Sequence, residues 1–107
     1  MKQMTTREDV DDALGQDTAI LFKHSTRCPI SAAARGEMER FLELNPDAPV
    51  YTVDVHDAAE TSRYLAEKTG IEHQSPQVIV ARGGRPQWHA SHFEVRADAV
   101  KRQVGAA

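Results

Sequence analysis

The residues best equipped for chemistry lie between Leu21 and Ala34, in the stretch LFKHSTRCPISAAA, which holds Cys28, the one cysteine of the chain. Thr18 to Phe22 is a short apolar run suited to a buried strand. Pro29 cannot continue a strand ladder but suits the first turn of a helix, where its missing N–H would be unpaired anyway. Ile30 then begins an apolar series at 34, 38, 41 and 42, which is helical spacing. Cys28 is therefore predicted at the mouth of a helix, beside its N-cap. Unpaired N–H groups and the helix dipole favour a thiolate there over a thiol, and the thiolate is the nucleophile. Lys23, His24 and Arg27 add basic groups nearby in sequence. Ser31, three positions on, is placed to offer its O–H or N–H to the sulfur. The competing reading is an inert, buried cysteine. Flanking by Arg27 and Pro29 at a helix start favours the reactive one.

The five histidines raise the question of a metal. His89 and His92 are three apart, and on a strand such residues point to opposite faces unless the backbone turns. One cysteine and no tight Cys/His spacing give a structural zinc site little support. We expect no metal and read these histidines as surface or packing residues.

The elements that must position Cys28 follow from the pattern around it. Thr6 to Leu14 reads as a short helix, with Thr6 as its cap, Asp9 completing a capping box and Gly15 ending it. The strand Thr18–Lys23 and the helix from Pro29 to about Leu44 come next. Asn45, Pro46, Asp47 and Pro49 break that helix. Val50 to Val55 is a β-branched and aromatic strand. Asp57 is predicted to cap the following helix, with Glu60 at its third position. Gly70 ends that helix, and Ile71 can fold back on Leu65 or Ala66. Gln77 to Arg82 is a strand, Gly83-Gly84 a hairpin turn, and Arg85 to Ser91 the return strand. Pro86 assigns the return strand to a sheet edge or makes Pro86 its start. Ala97 to Gln103 is a final short helix whose cap position holds a poorly suited Arg96. The order is α, then βαβαββα, with two parallel strands joined by a crossover and a closing antiparallel hairpin.

At 107 residues the chain has the size of one domain, so residues 1–107 are read as a single unit with one core. No apolar run is long enough to span a membrane. Met1 to Gly15 is polar and acidic, unlike a signal or transit peptide. A net charge of −3, without a clustered basic stripe, argues against a nucleic-acid partner. A lone cysteine points to a reducing compartment, hence an expected cytoplasmic location.

Three stretches together resemble the monothiol bacilliredoxins, bacillithiol-system redox proteins of the thioredoxin superfamily. They are KHSTRCPIS at 23–31, AEKTGIEHQSPQ at 66–77 and WHASH at 88–92. The family reads close to KHS-x-x-CPIS, a Ser-Pro-Gln before the third strand, and WHxSH in the fourth. The likeness spans nearly all of the chain past residue 18. Arg27 fills a variable slot, and Arg96 departs from a more usual cap. The resemblance implies a thioredoxin-like α/β fold of glutaredoxin type: a βαβαββα core with a four-stranded mixed sheet and an extra N-terminal helix. It implies a thiol–disulfide oxidoreductase in which Cys28 takes bacillithiol from a protein mixed disulfide. Arg27, Pro29, Ile30, Ser31, Ser75 and Pro76 would then stabilise the thiolate or bind substrate. Ser75–Pro76 would be the cis-proline element that faces the active cysteine. The implied partners are bacillithiolated client proteins, with bacillithiol as co-substrate, no bound cofactor, and bacillithiol or a disulfide reductase as reductant. Position 31 is serine, so no internal thiol can resolve the intermediate. Two other readings stand beside this one. An iron–sulfur carrier like the monothiol glutaredoxins is opposed by Pro29, where they place glycine. A non-catalytic thioredoxin-like interaction domain is opposed by the cysteine itself.

Overall fold

Strand β2, Thr18–His24, lies at the centre of the sheet and is buried along nearly its whole length. The computed structural model describes residues 1–105. The chain runs β1 (Lys2–Gln3), α1 (Arg7–Leu14), β2, α2 (Pro29–Leu44), β3 (Val50–Asp54), α3 (Ala59–Thr69), β4 (Gln77–Arg82), β5 (Arg85–Ser91), a 3-10 turn (His92–Glu94) and α4 (Ala97–Gly105). The strands lie in the order β1-β3-β2-β4-β5. β1 and β2 run parallel to β3, β4 runs antiparallel to β2, and β5 antiparallel to β4.

The apolar run of β2 is continuous because both sheet faces are covered. Ile20 and Phe22 join Ala34, Met38 and Phe41 of α2 and Val100 of α4. Ala19 and Leu21 point the other way, to Val10 and Ala13 of α1 and Leu65 of α3. Side-chain alternation along one strand thus feeds two cores.

The sheet has five strands where four were expected. The additional one is β1, two exposed residues against the β3 edge, continued by Met4 N–H donating to Thr52 C=O at 2.7 Å. Two residues in a polar segment carry no periodicity to read. Thr6 caps α1 as a capping box with Asp9. Asp57 does not cap α3: the N-cap is Ala58, without a side-chain bond. The Asp54 carboxylate instead accepts the N–H groups of His56 and Asp57, at 2.9 and 3.0 Å. Gly70 closes α3 in the left-handed region, as a residue without Cβ readily does. Gly83 and Gly84 both have positive φ, the requirement of the tight hairpin turn between β4 and β5. Pro86 lies on the edge strand, beside an irregularity in the β4–β5 register. The poor cap at Arg96 is remedied from outside the helix: Glu37 Oε1 on α2 accepts the Ala97 N–H at 2.9 Å.

Candidate functional site

Cys28 is the N-cap of α2, in extended backbone conformation and half-buried. Its carbonyl accepts the Ala32 N–H at 3.1 Å, the first bond of the helix, and Pro29 occupies the first turn. The sulfur accepts no capping hydrogen bond from the helix N–H groups. Arg27 and Pro29 are exposed and Ile30 half-buried, so three neighbours of the sulfur remain open to solvent or substrate.

Ser31 shapes the turn that carries Cys28. It is fully buried, and its Oγ accepts the Ser25 N–H at 3.1 Å. Ser25 Oγ in turn accepts the Arg27 N–H at 3.2 Å. The two serines fix the path of the turn from β2 to α2, and so hold Cys28 at the helix mouth. This bond uses Ser31 Oγ as an acceptor and leaves its O–H free to donate.

Lys23 and His24, basic neighbours of Cys28 in sequence, are buried. They occupy the end of β2 and point to opposite sheet faces. Lys23 has no exposed surface, and its Nζ has no hydrogen-bond partner among the described residues. Burial penalises the ammonium and pulls its pKa down to about 8. Its register partner across the sheet is Gln77, whose amide N–H donates to the Glu72 C=O at 3.1 Å. His24 stacks on Phe22, with ring centroids 5.3 Å apart, and its Nδ1 lies 3.3 Å from Arg35. Burial first, then the Arg35 charge, lowers the His24 pKa, against an opposing pull from Asp54. Asp54 is held below the usual carboxylate range, chiefly by the Asp57 N–H. His73 is pushed down by burial and by the charge of Lys23.

The Ser75–Pro76 peptide bond is cis. Pro76 is buried, and its carbonyl accepts the His92 N–H at 2.9 Å. This bond gives the WHASH segment a structural role that spacing alone did not reveal. His92 begins the 3-10 turn with φ of 57°, a left-handed conformation that histidine tolerates better than bulky residues do. Held there, the turn reaches the first turn of α2: His92 and Phe93 line a groove of about 140 Å³ with Ile30 and Ala33. The structure therefore joins Ile30, the Pro76 loop and the end of β5 around the helix mouth. Arg35, Asp54 and Gln77 also surround the end of β2, and reading the sequence missed them. Arg35 lies seven residues past Cys28, two helical turns along, which is the signal that could have found it.

The chemistry open to this arrangement is that of one thiol. Among the described residues, no group of three or more His, Cys, Asp or Glu side chains is placed to hold a metal ion, and His89 and His92 do not form one. No described helix is long and apolar enough to cross a membrane.

The family model for monothiol bacilliredoxin BrxC matches residues 2–100. Among solved structures, a candidate oxidoreductase with a thioredoxin fold superposes with a TM-score of 0.87 at 25% identity, covering 94% of this chain and 90% of that one. Thioredoxin from Fasciola hepatica gives a TM-score of 0.76 at 14% identity, covering 99% of this chain and 98% of that one. Mitochondrial thioredoxin 3 from Saccharomyces cerevisiae gives 0.77 at 12% identity, covering 100% and 95%. The last two speak for the thioredoxin-like fold alone.

Proposed function

The chain belongs to the monothiol bacilliredoxin family, and from that premise we propose that it removes bacillithiol from protein mixed disulfides through Cys28. The Cys28 thiolate attacks the bacillithiol sulfur of a client–S–S–bacillithiol bond. A new Cys28–bacillithiol disulfide forms, the old disulfide breaks, and the client leaves as a thiolate that takes a proton from water. A second bacillithiol thiolate, or a reductase thiolate, then attacks the bacillithiol sulfur of the adduct, which forms bacillithiol disulfide or a reductase–bacillithiol disulfide and releases the Cys28 thiolate. Sulfur is exchanged at each step, and the electrons come from the incoming thiol.

The observation that carries this reading is the pairing of Cys28 at the helix mouth with Ser31 three positions on. A second cysteine at 31 would release the small thiol internally. A buried serine cannot, so the adduct must wait for an external thiol. The exposed Arg27 and Pro29, with Ile30, Ser75 and Pro76, form the proposed contact surface for the two sulfur partners. The fold and family support a redox domain, and the single cysteine supports a reducing compartment, which we take to be the cytoplasm. Incubation with a bacillithiolated protein tests the proposal. Release of reduced client, with one bacillithiol on Cys28, is the expected outcome. Stable assembly of an iron–sulfur cluster that disappears in Cys28→Ser would favour the carrier reading instead.

A further inference from the structure

Between α3 and β4, residues 70–76 form no helix or strand, yet they carry Ser75 and Pro76 of the proposed contact surface. The side chain that braces this loop is Gln77, the first residue of β4. Its amide N–H donates to the Glu72 C=O at 3.1 Å, so one bond encloses the stretch that holds Ser75 and Pro76. The same Nε2 lies 3.5 Å from Ser91 Oγ at the end of β5. His92, the next residue, donates its N–H to the Pro76 C=O at 2.9 Å. The buried amide and the His92 N–H thus hold the loop from both sides of Pro76.

Gln77 is a costly choice for this position. It is 1% exposed, and its Oε1 has no hydrogen-bond partner among the described residues. The next four residues of β4, Val78 to Ala81, are apolar and buried. A buried amide oxygen left unpaired destabilises a fold, and an apolar side chain of similar length avoids that cost. Lys23, its register partner on β2, is also buried with an unpartnered Nζ, and Ser75 Oγ is a third such atom two residues away. Packing for stability alone leaves few atoms of this kind, so the polar choice calls for another explanation. The Glu72 bond supplies it, because an apolar residue at 77 has no donor for the loop.

We propose that Gln77 is a positioning residue: its amide N–H holds residues 72–76 so that Ser75 and Pro76 meet an incoming mixed disulfide in a preformed shape. Buried beneath the loop, it acts through Ser75 and Pro76 and not on the sulfurs. The assignment rests on the de-bacillithiolation reading, in which those two residues receive the sulfur partners. A loop ordered beforehand spares the ordering cost at binding. The effect therefore belongs to substrate affinity and not to the sulfur exchange at Cys28.

Two variants remove the donor in opposite ways. Gln77→Glu keeps the shape and gives the buried Lys23 ammonium a counter-ion. Gln77→Met keeps the length and removes the unpaired oxygen. Single-turnover release from a bacillithiolated peptide, followed against protein concentration, gives a half-saturating concentration and a limiting rate for each protein. Both variants should raise the half-saturating concentration by about tenfold, the effect of one hydrogen bond, and leave the limiting rate as in wild type. A residue serving stability alone would not move binding in a variant that folds. Wild-type half-saturation in either folded variant therefore overturns the assignment, as does a loss confined to the limiting rate or the failure of both variants to fold. The loop is read separately, without peptide, by NMR relaxation. Backbone order parameters of His73, Gln74 and Ser75 should be about 0.85 in wild type and fall below about 0.6 in both variants. Unchanged order parameters overturn the positioning role. Failure of the wild type to release thiol from any peptide would sink the bacillithiol reading instead, and the relaxation result then decides whether Gln77 holds the loop.

Discussion

Replacing Lys23 by Met should stabilise the protein at neutral pH and remove one component of its pH dependence. Lys23 has no exposed surface, and its Nζ has no hydrogen-bond partner among the described residues. Its pKa falls from 10.5 to about 8 because burial penalises the charged form. In the unfolded chain the group keeps its ordinary value, so between about pH 8 and 10.5 the unfolded state binds more protons. Stability must rise with pH across that window. Above it the amine is neutral in both states and the charge penalty is gone; only the pH-independent cost of a buried amine without a hydrogen-bond partner remains. Below about pH 8 the folded state carries a buried charge, and the full penalty applies. At 1.36 kcal/mol per pH unit, the gap amounts to about 3 kcal/mol. Methionine fills similar space with no charge to desolvate. Urea denaturation of both proteins from pH 6 to 11 measures the difference directly. Lys23→Met should be the more stable by about 3 kcal/mol at pH 7, a midpoint shift of about 1–3 M urea. The gap should narrow as pH rises past 10 and then stop changing with pH. His73 should also protonate at higher pH in the variant, since the Lys23 charge helps to hold its pKa down. Parallel stability curves would show that the ammonium reaches water, and would refute the argument.

Two further predictions concern the frame around Cys28. Ser31→Ala strands the Ser25 N–H and should cost about 1–3 kcal/mol, read as a fall in thermal midpoint; a loss under about 0.5 kcal/mol would mean that water or a shifted loop replaces the bond. Arg35→Met removes a charge that holds the His24 pKa down, so His24 should titrate at higher pH by NMR. Because a lowered histidine pKa means stability is lost as pH falls below the unfolded value of 6.5, the variant should also resist mild acid better than wild type in this one component. An unchanged His24 titration would show that the Arg35 contact is not formed in solution.

Periodicity carried most of the fold because the strands and helices here obey it. β2, α2, β4 and β5 lie where apolar spacing, Pro29 and Gly83-Gly84 put them. β1 was illegible since two exposed residues form no pattern. The cap of α3 was misread because Asp54, at the end of its strand, is as good an acceptor for the turn as Asp57 would be for the helix. Proximity in sequence also misled at the site. Lys23 and His24 neighbour Cys28 along the chain, but strand alternation buries them on opposite faces. The link from His92 to Pro76 spans sixteen residues of sequence and one backbone bond, which no local pattern encodes.

Intact mass spectrometry of the protein after reaction with a bacillithiolated client tests the central claim most directly. Cys28 is the only thiol, so the account predicts one bacillithiol adduct per chain, located at Cys28 and reversed by added free thiol. The client should appear reduced in equal amount, and Cys28→Ser should release none. A client chain joined to Cys28 in place of the small thiol, or full release of client by Cys28→Ser, would contradict it.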